Sequence, residues 1–196
     1  NAPTRMLVSS KNYEKAVEVA VNTANAMKVG DPFDADTKMG PISNKTQYEK
    51  VQSMIQIGID EGATLSAGGV GPPDGCEKGY FVKPTIFSDV TNDMTIAREE
   101  IFGPVLCLIK YETEEEAIKI ANDTPYGLAG YIQGEHSHAV EVATKIRAGQ
   151  VTINKGARVR SAPFGGYGSS GNGREHGTHG LEECLETKAV IGALIE

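Results

Sequence analysis

The chain has 196 residues, enough for one large or two small domains. A hydrophobic share of 39% beside a charged share of 23% describes a soluble globular chain, not a disordered one. The net charge of -7 repels phosphate backbones, and no apolar run approaches the roughly 20 residues that span a bilayer, so neither nucleic acid nor a membrane is expected as a partner.

The chain opens at Asn1, and Arg5-Met6-Leu7-Val8 reads as the entry to an apolar strand, as expected in the middle of a longer protein. No basic-then-apolar leader argues for secretion, so a cytoplasmic location is expected. Ser10 is placed to cap a helix whose apolar face runs Val17, Ala20, Val21, Ala24 and Met27, ended by Gly30 and Asp31-Pro32. Ser43 is placed to cap a second, with Val51, Met54, Ile55 and Ile59 on one face and Gly62 closing it. Ala63 to Ala67 reads as a short strand, followed by a Gly- and Pro-rich loop from Gly68 to Gly79. Phe81 to Phe87 is extended, and Pro84 inside it predicts an edge position. Asp93 to Glu100 reads as a helix end turning into strand Val105 to Tyr111, whose nearly unbroken apolar run predicts burial on both faces.

Thr113-Glu114-Glu115-Glu116 is a capping box opening a helix through Asn122, and this acidic run reads as capping rather than as a metal site. Thr124 to Gly127 turns into strand Leu128 to Gln133. Ser137 opens a helix with Ala139, Val142, Ala143 and Ile146 inward, Gly149 ends it, and Gln150 to Asn154 is the next strand. The alternation predicts an α/β fold with a mainly parallel sheet and crossover helices. Gly165 to Gly180 carries seven glycines in sixteen residues, the mark of a long loop that approaches something closely. Thr187 to Ile195 reads as a final strand, able to pair outside its own domain.

Cys76, Cys107 and Cys184 are widely separated, show no metal spacing and are expected to be reduced. Cys107 reads as a small hydrophobe inside a strand, and Cys184, among Glu182, Glu183 and Glu186, is a poor nucleophile. Gly166-Tyr167-Gly168-Ser169-Ser170-Gly171 matches GxGxxG but follows Pro163 instead of a strand, and Gly173 and Gly177 discourage a helix after it. His176 and His179 read as solvated loop histidines. Glu99 to Val105 sets adjacent carboxylates and a ring at a strand entrance, where they suit a ribose hydroxyl pair and a flat heterocycle.

Four segments occur in a telling order: Asn1 to Arg5, Glu99 to Val105, Asn122 to Leu128, and Pro163 to Tyr167 with Ser170 to Glu175. In combination they resemble the NAD(P)-dependent aldehyde dehydrogenases: the segment after the nucleophile, the cofactor-contact motif, the NxxxYGL turn and the closing loop. The resemblance implies the C-terminal part of such an enzyme, with a catalytic domain over 1–180 and an oligomerisation arm strand over 181–196. It implies an aldehyde substrate, NAD or NADP as cofactor, and a homo-oligomer built through the C-terminal strand. In that family a cysteine attacks the aldehyde, hydride passes to the nicotinamide, and a glutamate-activated water releases the acid. By position, Glu100 would hold the nicotinamide ribose and Phe102 would pack near that ribose and ring. Gln47 and Lys50 match positions that reach toward the adenosine ribose side. Phe164 would wall the substrate tunnel, with Lys155 and Arg158 on its rim. With Arg160 they form the one basic cluster, suited to an anionic aldehyde if it is more than a set of solvated loop charges.

Two departures stand out. The nucleophile is expected immediately before Asn1, so no catalytic residue is assigned, and the family's base glutamate, oxyanion asparagine and cofactor glycines are not in the sequence. Gly168 replaces the lysine common in the family, which implies a looser closing loop. The alternative reading is a non-catalytic α/β domain that oligomerises or binds a partner.

Overall fold

A computed structural model describes residues 3–157 and 159–192. The chain divides between Ala121 and Asn122 into two compact units.

In the first unit, β1 (Arg5–Ser9), β2 (Thr64–Ala67), β3 (Thr85–Ser88) and β4 (Val105–Tyr111) form one sheet in the order β1-β4-β3-β2. β4 pairs parallel with both β1 and β3, and β2 adds an antiparallel edge. Side chains alternate across the sheet, which sorts β4 into two cores. Val105, Cys107 and Ile109 join Val51, Ile55 and Phe87 on one face, where α2 (Lys45–Asp60) packs. Leu106 and Leu108 join Tyr13, Ala24 and Ile86 on the other, under α1 (Tyr13–Asn25). Both faces of β4 are therefore covered, as its apolar run predicts.

Several expectations shift. β3 lies inside the sheet and all four of its residues are buried, so Pro84 does not mark an edge. The ladder begins only at Thr85, whose N–H donates to Pro104 O at 2.8 Å, so the imide removes no ladder bond. The first helix is not capped by Ser10. A 3-10 turn over Ser10–Asn12 precedes α1, and the Ser10 hydroxyl donates to Glu112 instead, at 2.6 Å. The second is capped by Asn44, not Ser43, its Oδ1 accepting from Gln47 N at 2.9 Å. The helix before Glu100 is one turn, α3 (Thr95–Arg98). α4 (Glu114–Asn122) opens as predicted, with Thr113 Oγ1 accepting from Glu116 N, though Glu116 reaches back to the N–H of Glu112.

In the second unit, β5 (Ala129–Ile132), α5 (His136–Lys145) and β6 (Gln150–Ile153) form a parallel pair with its crossover helix. The cap of α5 is Glu135, whose carboxylate accepts from the N–H groups of Ser137 and His138, so Ser137 lies inside the helix. The glycine-rich loop holds a 3-10 turn over Gly168–Ser170 and a short α6 (Gly177–Glu182), so Gly177 starts a helix instead of preventing one. Thr187 to Gly192 forms no strand, because no neighbouring edge pairs with it among the described residues; Ala193 to Ile195 lie outside them. No helix among the described residues is long and apolar enough to cross a membrane.

Candidate functional site

The turn between α3 and β4 is built around Ile101, which is 1% exposed in the α2-side core. Its neighbours go the other way. Phe102 is 69% exposed, and the Glu100 carboxylate makes no hydrogen bond or ion pair among the described residues. Phe102 adopts φ 58, a left-handed conformation that costs a side-chain-bearing residue about 1–2 kcal/mol. Such a conformation persists only where surrounding contacts impose it.

The contacts come from α2. Gln47 Nε2 donates to Ile101 O and Phe102 O, both at 2.9 Å, and Lys50 Nζ donates to Glu100 O at 2.6 Å. Residues three apart on a helix share a face, so one face of α2 binds three consecutive carbonyls of the turn. The Asn44 cap fixes where that face begins. Gly103 completes the fit, since a Cβ there would lie 2.5 Å from Val51 Cγ2. The structure thus brings Gln47, Lys50, Glu100 and Phe102 together, with the first two spending their polar ends on the backbone of the second two.

The result is an unpaired carboxylate beside an exposed ring on a clamped turn. The carboxylate has acceptor capacity for a hydroxyl pair, and the ring offers a flat apolar face. Surface depressions of about 490 Å³ beside α1, with Val19 and Met27, and about 420 Å³ near Cys76 and Phe81 do not include these residues.

The segment after Asn1 enters the same sheet. Thr4 O accepts from Cys107 N at 2.9 Å, and Arg5 is in register with Cys107. Because β1 and β4 are parallel, the chain enters both strands at one end of the sheet, the end that carries the clamped turn. Arg5 fastens its strand by donating to Ile120 O and Ala121 O, both at 3.1 Å, at the C-terminal end of α4.

In the second unit, Phe164 is half-buried and forms an antiparallel bridge with Glu175, and its ring centroid lies 6.1 Å from that of His176. Lys155 is exposed at φ 59, directly after Asn154 at φ 48. Arg158 lies outside the described residues. No group of His, Cys, Asp and Glu among the described residues is arranged to hold a metal ion. Cys107 is fully buried, and desolvation pushes its thiol up to about 12, so it is inert.

The family model described as the aldehyde dehydrogenase family matches residues 1–190. The chain belongs to the aldehyde dehydrogenase family. It is 53% identical over 193 residues to 3-succinoylsemialdehyde-pyridine dehydrogenase of a Pseudomonas species, a match covering 98% of this chain and 40% of that protein. A mutant aldehyde dehydrogenase C from Pseudomonas syringae, solved with NAD+ and octanal, superposes with a TM-score of 0.96 at 53% identity, over 98% of this chain and 40% of that one. The Mycobacterium tuberculosis aldehyde dehydrogenase complexed with NAD+ gives a TM-score of 0.92 at 43% identity, again over 98% and 40%. The chain therefore spans about 40% of the length of the relatives it matches.

Within this family member, two of the sequence segments singled out above interlock. In the NxxxYGL turn, Gly127 O accepts from Tyr167 N at 3.0 Å, Gly127 N donates to Ser170 Oγ at 3.1 Å, and Pro125 O accepts from Ser169 N at 2.9 Å. Gly168 does not loosen this closing loop. It sits at φ 56, and a Cβ there would lie 2.4 Å from Pro125 O, so glycine permits the tight approach that a lysine on this backbone would block. Sequence reasoning assigned no role to Arg174, whose guanidinium donates to Gly166 O at 3.0 Å and Gly173 O at 2.7 Å and lies 5.2 Å from the Tyr167 ring centroid. An arginine embedded in a glycine run was the available signal, because carbonyls without nearby side chains call for a long donor.

Proposed function

We propose that this chain is the C-terminal part of an NAD(P)-dependent aldehyde dehydrogenase and supplies the nicotinamide-ribose side of the cofactor site. The observation that carries the reading is the clamped turn, which presents an unpaired Glu100 carboxylate and an exposed Phe102 ring. These donor and acceptor types fit a ribose hydroxyl pair and a planar ring. The bound cofactor would accept the hydride lost by the aldehyde. Glu100 would accept hydrogen bonds from the ribose hydroxyls, and Phe102 would exclude water from one side of the ring. Gln47 and Lys50 hold the turn in the geometry both need. Phe164 would line the substrate tunnel, with Lys155 and Arg158 on its rim. In this reading residues 1–180 belong to the catalytic domain and the segment from Leu181 is an oligomerisation arm in a cytoplasmic enzyme.

The nucleophile belongs immediately ahead of Asn1 in this reading, so the chain alone should not oxidise aldehydes. Removing a catalytic nucleophile costs on the order of 10⁶ in rate. The test is an assay of NAD+ reduction by the chain alone and by a chimera that joins it to the upstream part of the Pseudomonas relative. Turnover by the chimera only is expected. Turnover by the chain alone would refute the reading.

A further inference from the structure

Asn172-Gly173 is the one Asn-Gly dipeptide in the chain. Both residues are exposed in the closing loop. Neither the Asn172 side-chain amide nor the Gly173 N–H has a hydrogen-bond partner among the described residues. A Cβ added at Gly173 would meet nothing within 4 Å, so the space around its nitrogen is open. Three asparagines elsewhere are tied down: Asn44 caps α2, Asn122 bonds Lys145 O and Arg147 N, and Asn154 bonds both backbone groups of Gly134. The one comparable acidic dipeptide, Asp74-Gly75, differs at the decisive atom, because Gly75 N donates to Glu77 Oε1 at 2.9 Å.

We infer that Asn172-Gly173 is a site of spontaneous deamidation. The Gly173 nitrogen gives its proton to solvent hydroxide and attacks Cγ of Asn172. A carbon–nitrogen bond forms, the side-chain nitrogen leaves as ammonia, and a five-membered succinimide remains. Water then opens the ring at either carbonyl, giving aspartate or isoaspartate with no change of oxidation state. Glycine favours the step because no side chain shields its nitrogen or restricts its backbone. The open N–H removes the remaining obstacle.

The product acts on its neighbours. A negative charge appears two residues from Arg174, and isoaspartate lengthens the backbone by one methylene directly before Gly173. Arg174 Nη1 holds Gly173 O at 2.7 Å and Gly166 O at 3.0 Å. Lengthening the chain at that point displaces one carbonyl of this clamp, which braces the Phe164–Glu175 bridge.

The test is incubation of the folded chain in mildly alkaline buffer, read by intact mass and by peptide mapping that separates aspartate from isoaspartate. The first mass shift should map to Asn172, with isoaspartate present and Asp74 unchanged. Gly173→Ala and Asn172→Gln should each lose that shift over the same incubation, and amide exchange at Glu175 should quicken as the shift accumulates. Earlier modification at another asparagine, an unaltered shift in Gly173→Ala, or a shift only after unfolding in urea would each overturn the inference.

Discussion

Phe102 allows a separation of stability from binding. Its ring is largely outside the core, and its backbone is left-handed. Phe102→Gly relieves about 1–2 kcal/mol of conformational cost and adds about 0.5–1 kcal/mol of chain entropy lost on folding. Thermal unfolding of the variant should therefore stay within about 1 kcal/mol of the parent, while the chimera loses affinity for NAD+. A large loss of stability would show that the ring serves packing. Cys107 gives a pH prediction. Burial raises its thiol from 9.0 to about 12, so the folded chain favours the neutral form. Its stabilising effect is complete below pH 9.0 and is lost as pH rises toward about 12. In denaturant titrations across that window, Cys107→Ala should show a shallower alkaline decline than the parent. At neutral pH a thiol reagent should label the exposed Cys184 and spare the buried Cys107.

At the scale of elements, the helices and strands up to β6 were legible, whereas the starts of α1, α2 and α5 were not. The apolar spacing of α2 and the unbroken run of β4 are strong periodic signals. Caps are settled by which side-chain oxygen reaches a free N–H, and Ser43 beside Asn44, or Ser137 near Glu135, offers two acceptors of similar reach. Pro84 misled because its penalty applies only inside a ladder, and β3 starts one residue later. Glu135 is held down to about 2 by the Ser137 hydroxyl and then by the N–H groups of His138 and Ser137. Its support for α5 is present above pH 4.5 and fades as pH falls toward about 2, so the protection of the Ser137 and His138 amides, relative to their intrinsic exchange at each pH, should fall in that window. The clamp on the turn was invisible in the sequence, because it pairs side chains with backbone carbonyls more than fifty positions away. Gln47→Ala removes two such bonds, worth about 0.5–1.5 kcal/mol each. It should speed amide exchange across 101–105 and weaken NAD+ binding by the chimera with Glu100 intact. Unchanged exchange there would deny Gln47 its positioning role.

At the scale of the whole molecule, family membership follows from segments spread over nearly the full sequence, whereas the proposed assembly would rest on a tail that forms no strand over its described residues, Thr187 to Gly192. Val190 is 73% exposed and Ile191 96%, and α6 leaves Leu181 exposed as well. Apolar side chains this exposed are costly in isolation. Deleting 187–196 from the chimera should shift it to a smaller species by sedimentation, and an unchanged mass would remove the arm from the account. The cofactor claim is tested most directly by NAD+ titration of that chimera with and without Glu100→Gln. A charge-assisted hydrogen bond is worth about 1.5–3 kcal/mol, so the variant should bind NAD+ at least about tenfold more weakly with its unfolding midpoint unchanged. Equal affinity in the two proteins would contradict the assignment of the Glu100 carboxylate to the cofactor.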